Sequence, residues 1–138
     1  SLAEDRRFNL IAYSSEVRPW GKTLEQATPG AKKKAVRFID GLKAQGVTFT
    51  DLALAEAIAD PRVDTIYLIT DGAPTHVGSR GRDLPEDASR LMKRILLETR
   101  SVNYLRGIRI FTLGFEGAEE AFLKRLAAEH EGIYVRIE

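Results

Sequence analysis

Apolar and polar positions change period several times along the chain, and each change marks an element. Residues 8–14 alternate Phe8, Leu10 and Ala12 with Asn9, Ile11 and Tyr13, so both faces are largely apolar, as an interior strand requires. Residues 17–20 can fold back antiparallel beside them, with Pro19 confining that segment to an edge and Gly21 ending it. The period then becomes helical. Thr28-Pro29 supplies a hydroxyl cap and a proline at the first helical position, Ala35, Phe38, Ile39 and Leu42 recur at helical spacing, and Gly46 is the expected stop. A second, short helix is expected from Thr50 or Asp51, either of which can cap it, with Leu52, Ala55 and Ile58 inward and an end before Asp60-Pro61.

The run Thr65-Ile66-Tyr67-Leu68-Ile69 reads as a buried parallel strand, and the glycine- and arginine-rich residues 73–83 as an exposed loop. Pro85-Glu86-Asp87 opens a longer helix whose inward face is expected to be Ala88, Leu91, Met92, Ile95, Val102 and Leu105, ending at Gly107. Residues 108–113 form another strand, 114–117 a turn, 118–131 a helix with Phe122, Leu126 and Ala127 inward, and 133–137 a last strand. Strand, helix, strand, helix, strand joined by right-handed crossovers makes a parallel sheet, so the expected class is α/β and Rossmann-like.

Composition narrows this without redirecting it. A chain of 138 residues that is 43% hydrophobic fits one domain, residues 1–138, with a core of ordinary size. With 21 basic and 20 acidic residues the formal charge is +1, so neither nucleic acid nor an anionic membrane is an expected partner. No stretch has the roughly 18 apolar residues of a membrane span, so no membrane insertion is expected. The charged opening Ala3-Glu4-Asp5-Arg6-Arg7 is not a signal peptide, and entry into a strand soon after Ser1 suggests a piece cut from a longer chain or a processed product. The absence of cysteine removes any thiolate site and leaves the compartment open. Gly78-Ser79-Arg80-Gly81 follows a loop rather than a strand and is not a dinucleotide turn.

Two polar turns carry the candidate chemistry: Gly46-Val47-Thr48-Phe49-Thr50-Asp51 and Thr70-Asp71-Gly72-Ala73-Pro74-Thr75. Asp71 falls at the carboxyl end of a parallel strand, where open α/β sheets bind ligands. A hydroxyl and a carboxylate are hard oxygen donors of the kind Mg²⁺ or Mn²⁺ prefers, yet two residues cannot fill an octahedral shell. Read alone, Asp71 is a turn aspartate before glycine, and Thr48 is as readily a turn or cap hydroxyl as a metal ligand. Lys32-Lys33-Lys34 reads as a solvated face and His130 as a helix-end dipole contact. His76, Arg80 and Arg82 follow Asp71 and are candidate partner contacts, the arginines through bidentate bonds to carboxylate or phosphate, although loop solvation explains them equally simply. Ser14, Ser15 or Ser79 with His76 and Asp71 is only a set of residue types, so no enzyme is expected.

In their order and spacing, these pieces resemble a von Willebrand factor type A domain over nearly the whole chain. Residues 8–15 resemble that family's second strand, Gly46-Val47-Thr48 its threonine turn, Leu68-Ile69-Thr70-Asp71-Gly72 its fourth strand and aspartate turn, and Ile110-Phe111-Thr112-Leu113-Gly114-Phe115 its fifth strand. The resemblance implies a doubly wound, mostly parallel sheet with one antiparallel edge strand in a three-layer α/β/α arrangement. It also implies a metal-ion-dependent adhesion site combining an Asp-x-Ser-x-Ser motif with one threonine and one aspartate, here Thr48 and Asp71. Thr50 would then be a helix cap. No Asp-x-Ser-x-Ser occurs in this sequence, and too little precedes Phe8 for the family's first strand and helix. The sheet is therefore expected to be incomplete at its central strand, leaving open edges for completion by another segment or for self-association. Mg²⁺ or Mn²⁺ binding is expected in the complete domain and weak or absent in this chain. The implied role is a non-enzymatic adhesion or scaffolding module that bridges metal to an acidic side chain of a protein ligand. The alternatives are a structural or assembly module without metal, or an accessory subunit of an ATP-driven complex.

Overall fold

The structure, a computed structural model, describes residues 2–43, 48–75 and 87–138. The chain divides into two compact units, residues 1–62 and 63–138, each with its own sheet elements and helices.

The first unit contains β1 (Arg7–Phe8), β2 (Ile11–Tyr13), β3 (Val17–Pro19), β4 (Glu25–Gln26), α1 (Pro29–Asp40) and α2 (Thr50–Ala59). The expected hairpin is present as β2–β3, with Ile11 opposite Pro19 and Tyr13 opposite Val17. The strand expected over residues 8–14 is instead broken at Asn9. Its Oδ1 accepts the N–H groups of Leu10 and Gly21, both at 2.8 Å, and its Nδ2 donates to the Gly21 carbonyl at 2.9 Å. A short amide side chain thus replaces the ladder locally. Phe8 pairs instead in a second antiparallel ribbon, β1–β4, opposite Glu25, and stacks on Trp20 at 5.2 Å. That ribbon is too short and too charged to leave an alternating pattern.

Helix α1 starts as expected, with Thr28 Oγ1 accepting the Ala31 N–H at 3.1 Å and Pro29 first in the helix. It ends at Asp40 with Gly41 as its C-cap, whereas the stop expected at Gly46 lies outside the described residues. Ala35 is buried and Phe38 half-buried, but Ile39 and Leu42 are 51% and 39% exposed, Leu42 because it lies beyond the helix end. In α2 the expected cap is corrected: Phe49 holds the N-cap position without a side-chain bond, and Thr50 is the first helical residue, only 1% exposed. The buried face is Thr50, Ala53, Leu54 and Ile58, a proper i, i+3, i+4, i+8 stripe, while Leu52 and Ala55 point out. Residues 50–59 are apolar almost all round, so periodicity alone does not choose the face.

The second unit contains β5 (Thr65–Thr70), α3 (Ala88–Asn103), β6 (Arg109–Gly114), α4 (Glu120–Glu129) and β7 (Tyr134–Arg136). The strands form one parallel sheet in the order β5-β6-β7, with Thr70 opposite Gly114 and Gly114 opposite Arg136. Helix α4 packs on β6, β7 and α3. Ile66 and Leu68 of β5 and Ile110 and Thr112 of β6 are buried, and Thr112 Oγ1 donates to the Leu123 carbonyl at 2.9 Å. Each fully buried leucine or isoleucine stabilises the unit by about 1.5–3 kcal/mol, and Leu91, Ile95, Ile108, Ile110, Leu123 and Leu126 are all of this kind. Strand β5 was expected to be covered on both faces, but Tyr67 and Ile69 are 66% and 51% exposed. It carries no charge and no proline, and it lies at the edge of its sheet.

Helix α3 is capped by Asp87, whose Oδ1 accepts the Ser89 N–H at 2.9 Å; Pro85 and Glu86 of the expected opening lie outside the described residues. Its buried stripe is Leu91, Ile95, Thr99 and Asn103 with Leu96 alongside, so Ala88, Val102 and Leu105, expected inward, are exposed and Met92 is half-buried. Spacing by four follows the helix, and Leu105 lies past its end. His130 stands at the C-cap of α4, as its helix-end position implied, but is only 7% exposed, with Nδ1 2.9 Å from Asn103 Nδ2.

Candidate functional site

Thr48 is half-buried in the turn leading into α2, where its carbonyl accepts the Thr50 N–H at 2.9 Å. The next residue anchors that turn, since Phe49 N–H donates to the Ser14 carbonyl at 3.1 Å, just past the end of β2. The first unit therefore places Thr48 beside a strand end through backbone bonds that no side-chain pattern announces.

Asp71 is exposed, one residue beyond the carboxyl end of β5. Thr70, buried at 8% exposure, holds the turn behind it, with its Oγ1 3.4 Å from the Gly72 N–H nitrogen and 3.3 Å from the Gly72 carbonyl. The Thr70 carbonyl accepts the Phe115 N–H at 3.0 Å, so the turn after β6 sits on the end of β5. An open cleft of about 680 Å³ lies along this rim, lined by Asp71, Phe115, Glu116, Arg136, Ile137 and Glu138. Three carboxylates and one guanidinium thus ring the carboxyl ends of the three parallel strands, a position suited to charged ligands.

Glu120, in the first turn of α4, has its carboxyl held below the usual range by a hydrogen bond from Lys124, aided by the charges of Lys124 and Arg136. Arg136 therefore acts on both Glu120 and the cleft.

Of the predicted ligands, Thr48 belongs to the first unit, in the turn before α2, and Asp71 to the second, just after β5. His76, Arg80 and Arg82 lie outside the described residues. Among the described residues no group of three or more His, Asp or Glu side chains is arranged to hold a metal ion. Thr48 and Asp71 are the right kind of donor for a hard cation but supply too few of its six oxygens. Glu116 and Arg136 escaped the sequence reading; the signal that could have found them is their place at the ends of strands parallel to β5.

The sequence profile of the von Willebrand factor type A domain matches residues 1–136. The chain is 28% identical over 130 residues to human von Willebrand factor A domain-containing protein 3A, covering 92% of the chain and 10% of that protein. It is 30% identical over 149 aligned positions to mouse inter alpha-trypsin inhibitor, heavy chain 4, covering 99% of the chain and 14% of that protein. A solved structure, a von Willebrand factor type A protein from Catenulispora acidiphila, superposes with a TM-score of 0.69 at 20% identity, over 99% of this chain and 31% of that one. That likeness shows the α/β, Rossmann-like fold. The chain thus spans a small part of each of these proteins, and by the profile match over nearly its full length it belongs to the von Willebrand factor type A family.

Proposed function

We propose that this chain is a protein-interaction module rather than an enzyme, and that its contact face is the rim formed by the carboxyl ends of β5, β6 and β7. The observation that carries this reading is Asp71 itself: an exposed carboxylate directly after a parallel strand, beside a charged cleft, in a member of this family. Thr48 and Asp71 are the residues of this chain that would hold Mg²⁺ or Mn²⁺, with the remaining protein oxygens supplied in a complete domain by the family's Asp-x-Ser-x-Ser segment. The cation, when bound, supplies a link to a carboxylate of the partner protein. Asp71 provides charge and Thr48 a neutral oxygen, while Arg136 and Glu116 on the rim select partner side chains by charge. His76, Arg80 and Arg82 are proposed as additional partner contacts.

The test is calorimetric titration of Mg²⁺ and Mn²⁺ into this chain and into a longer polypeptide carrying the family's Asp-x-Ser-x-Ser segment, each with and without Asp71→Ala. Binding by the longer polypeptide that disappears in Asp71→Ala, with weak or no heat from the short chain, supports the proposal. Absence of binding by both sinks the metal role.

A second reading, assembly by strand pairing, draws on the uncharged β5 edge. It predicts a mass that rises with concentration and ignores added metal.

A further inference from the structure

The turn after β6 has a feature that the interaction reading does not use. Phe115 N–H is bonded to the Thr70 carbonyl, and Ala118 N–H closes the turn on the Phe115 carbonyl at 3.1 Å. Between them Gly117 adopts a φ of 93°, a backbone conformation disfavoured for residues with a Cβ. A Cβ placed on Gly117 would lie 3.0 Å from the backbone carbonyl oxygen of Asp71. Two loops that are far apart in sequence therefore meet backbone to backbone at the candidate ligand, so closely that a Cβ at 117 fits only if a neighbour gives way by a few tenths of an ångström.

We propose that Gly117 is the positioning residue for Asp71: lacking a side chain, it lets the β6–α4 turn seat on the Asp71 carbonyl and so sets the direction in which the carboxylate leaves the strand end. Any L side chain at 117 must lift the turn or displace the Asp71 peptide. Because Mg²⁺ accepts oxygen ligands only near 2.0–2.1 Å, a displacement of a few tenths of an ångström is enough to degrade a ligand. The importance of this placement rests on the reading of Asp71 as a contact residue; the placement itself does not.

The experiment compares backbone amide spectra of the ¹⁵N-labelled chain with those of Gly117→Ala and Gly107→Ala. Gly107 is the control, since it also has a positive φ, 63°, but nothing lies within 4 Å of an added Cβ, and it precedes β6 at the opposite end of the strand. The Asp71 and Gly72 resonances are expected to shift in Gly117→Ala and to stay in place in Gly107→Ala. Unmoved resonances in Gly117→Ala, or equal shifts in both variants, overturn the proposal. Should Gly117→Ala not fold, Gly117→Asn keeps the Cβ in a residue that tolerates positive φ better. If neither folds while Gly107→Ala does, Gly117 serves folding rather than the placement of Asp71, and the proposal fails. Mn²⁺ added to the longer polypeptide that carries the Asp-x-Ser-x-Ser segment tests the contact reading separately: broadening at Asp71 and Gly72 that weakens with Gly117→Ala supports both ideas. No broadening in that polypeptide removes the ligand role of Asp71 and leaves the shift comparison intact.

Discussion

Asn103 joins three pieces of backbone and side chain in the interior of the second unit. Its Oδ1 accepts the Ile108 N–H at 2.8 Å, and its Nδ2 donates to the Ile108 carbonyl at 2.7 Å and to His130 Nδ1. With Nδ1 as acceptor, the network assigns the neutral ring its proton on Nε2, which is buried without a partner among the described residues. Asn103→Ala should cost roughly 3 kcal/mol in a urea melt, because it leaves several buried groups unsatisfied. Burial is the main force holding the His130 pKa below its ordinary value of 6.5; the Arg100 charge adds to it and Glu129 opposes it. Between those two values the unfolded chain binds more protons than the folded one, so stability is full above 6.5 and falls as pH drops toward the folded value. The urea midpoint should decline from about pH 7.5 to about pH 5, and His130→Gln should flatten that slope in the region near pH 6. Thr50 presents the opposite case, a hydroxyl 1% exposed and without a hydrogen-bond partner among the described residues. Thr50→Val should raise stability by about 1 kcal/mol, read from the shift in melting midpoint; an unchanged or lower midpoint would mean the hydroxyl is satisfied after all.

Between elements, α3 and α4 are tied by one carboxylate. Glu129 Oε1 accepts from Arg100 across the helices at 2.6 Å and from Arg125 one turn earlier at 2.9 Å. Burial pulls the Glu129 pKa up, and the bonds from Arg125 and Arg100 more than offset it, leaving it below 4.5. Its contribution is present above that value and is lost as pH falls through the lower folded value. Glu129→Gln should lower the thermal midpoint near neutral pH, with a smaller effect in high salt and none once the carboxylate is protonated. A loss independent of both would assign the effect to packing instead. The helices also show how far a pattern can be read. Leu126 and Ala127 of α4 were legible because a clear apolar stripe sits between charged residues, Lys124 and Arg125 before it and Glu129 after it. The face of α2 was not, because alanine and leucine surround it; its start at Thr50 was legible, but its cap was not, because Phe49 takes the position that a hydroxyl usually fills.

Across the whole molecule, the parallel strands were legible from their charge-free or β-branched runs, and Asp71 from its place directly after one of them. The division of the first unit into two ribbons was not, because Asn9 interrupts the ladder with its side chain and leaves the apolar alternation untouched. Nor was the meeting of Gly117 with Asp71, which depends on the register of β5 against β6 rather than on either segment. That register also has a consequence in time. Residues of β5 pair with residues of β6 that lie 44 positions later, as Thr65 does with Arg109, so during synthesis at about 5–20 residues per second β5 waits roughly 2 to 9 seconds for its neighbour. A strand with no charge or proline to discourage stray pairing spends that interval exposed on the nascent chain. Yield of folded protein should therefore depend on elongation speed and on chaperones that shield the strand until β6 emerges.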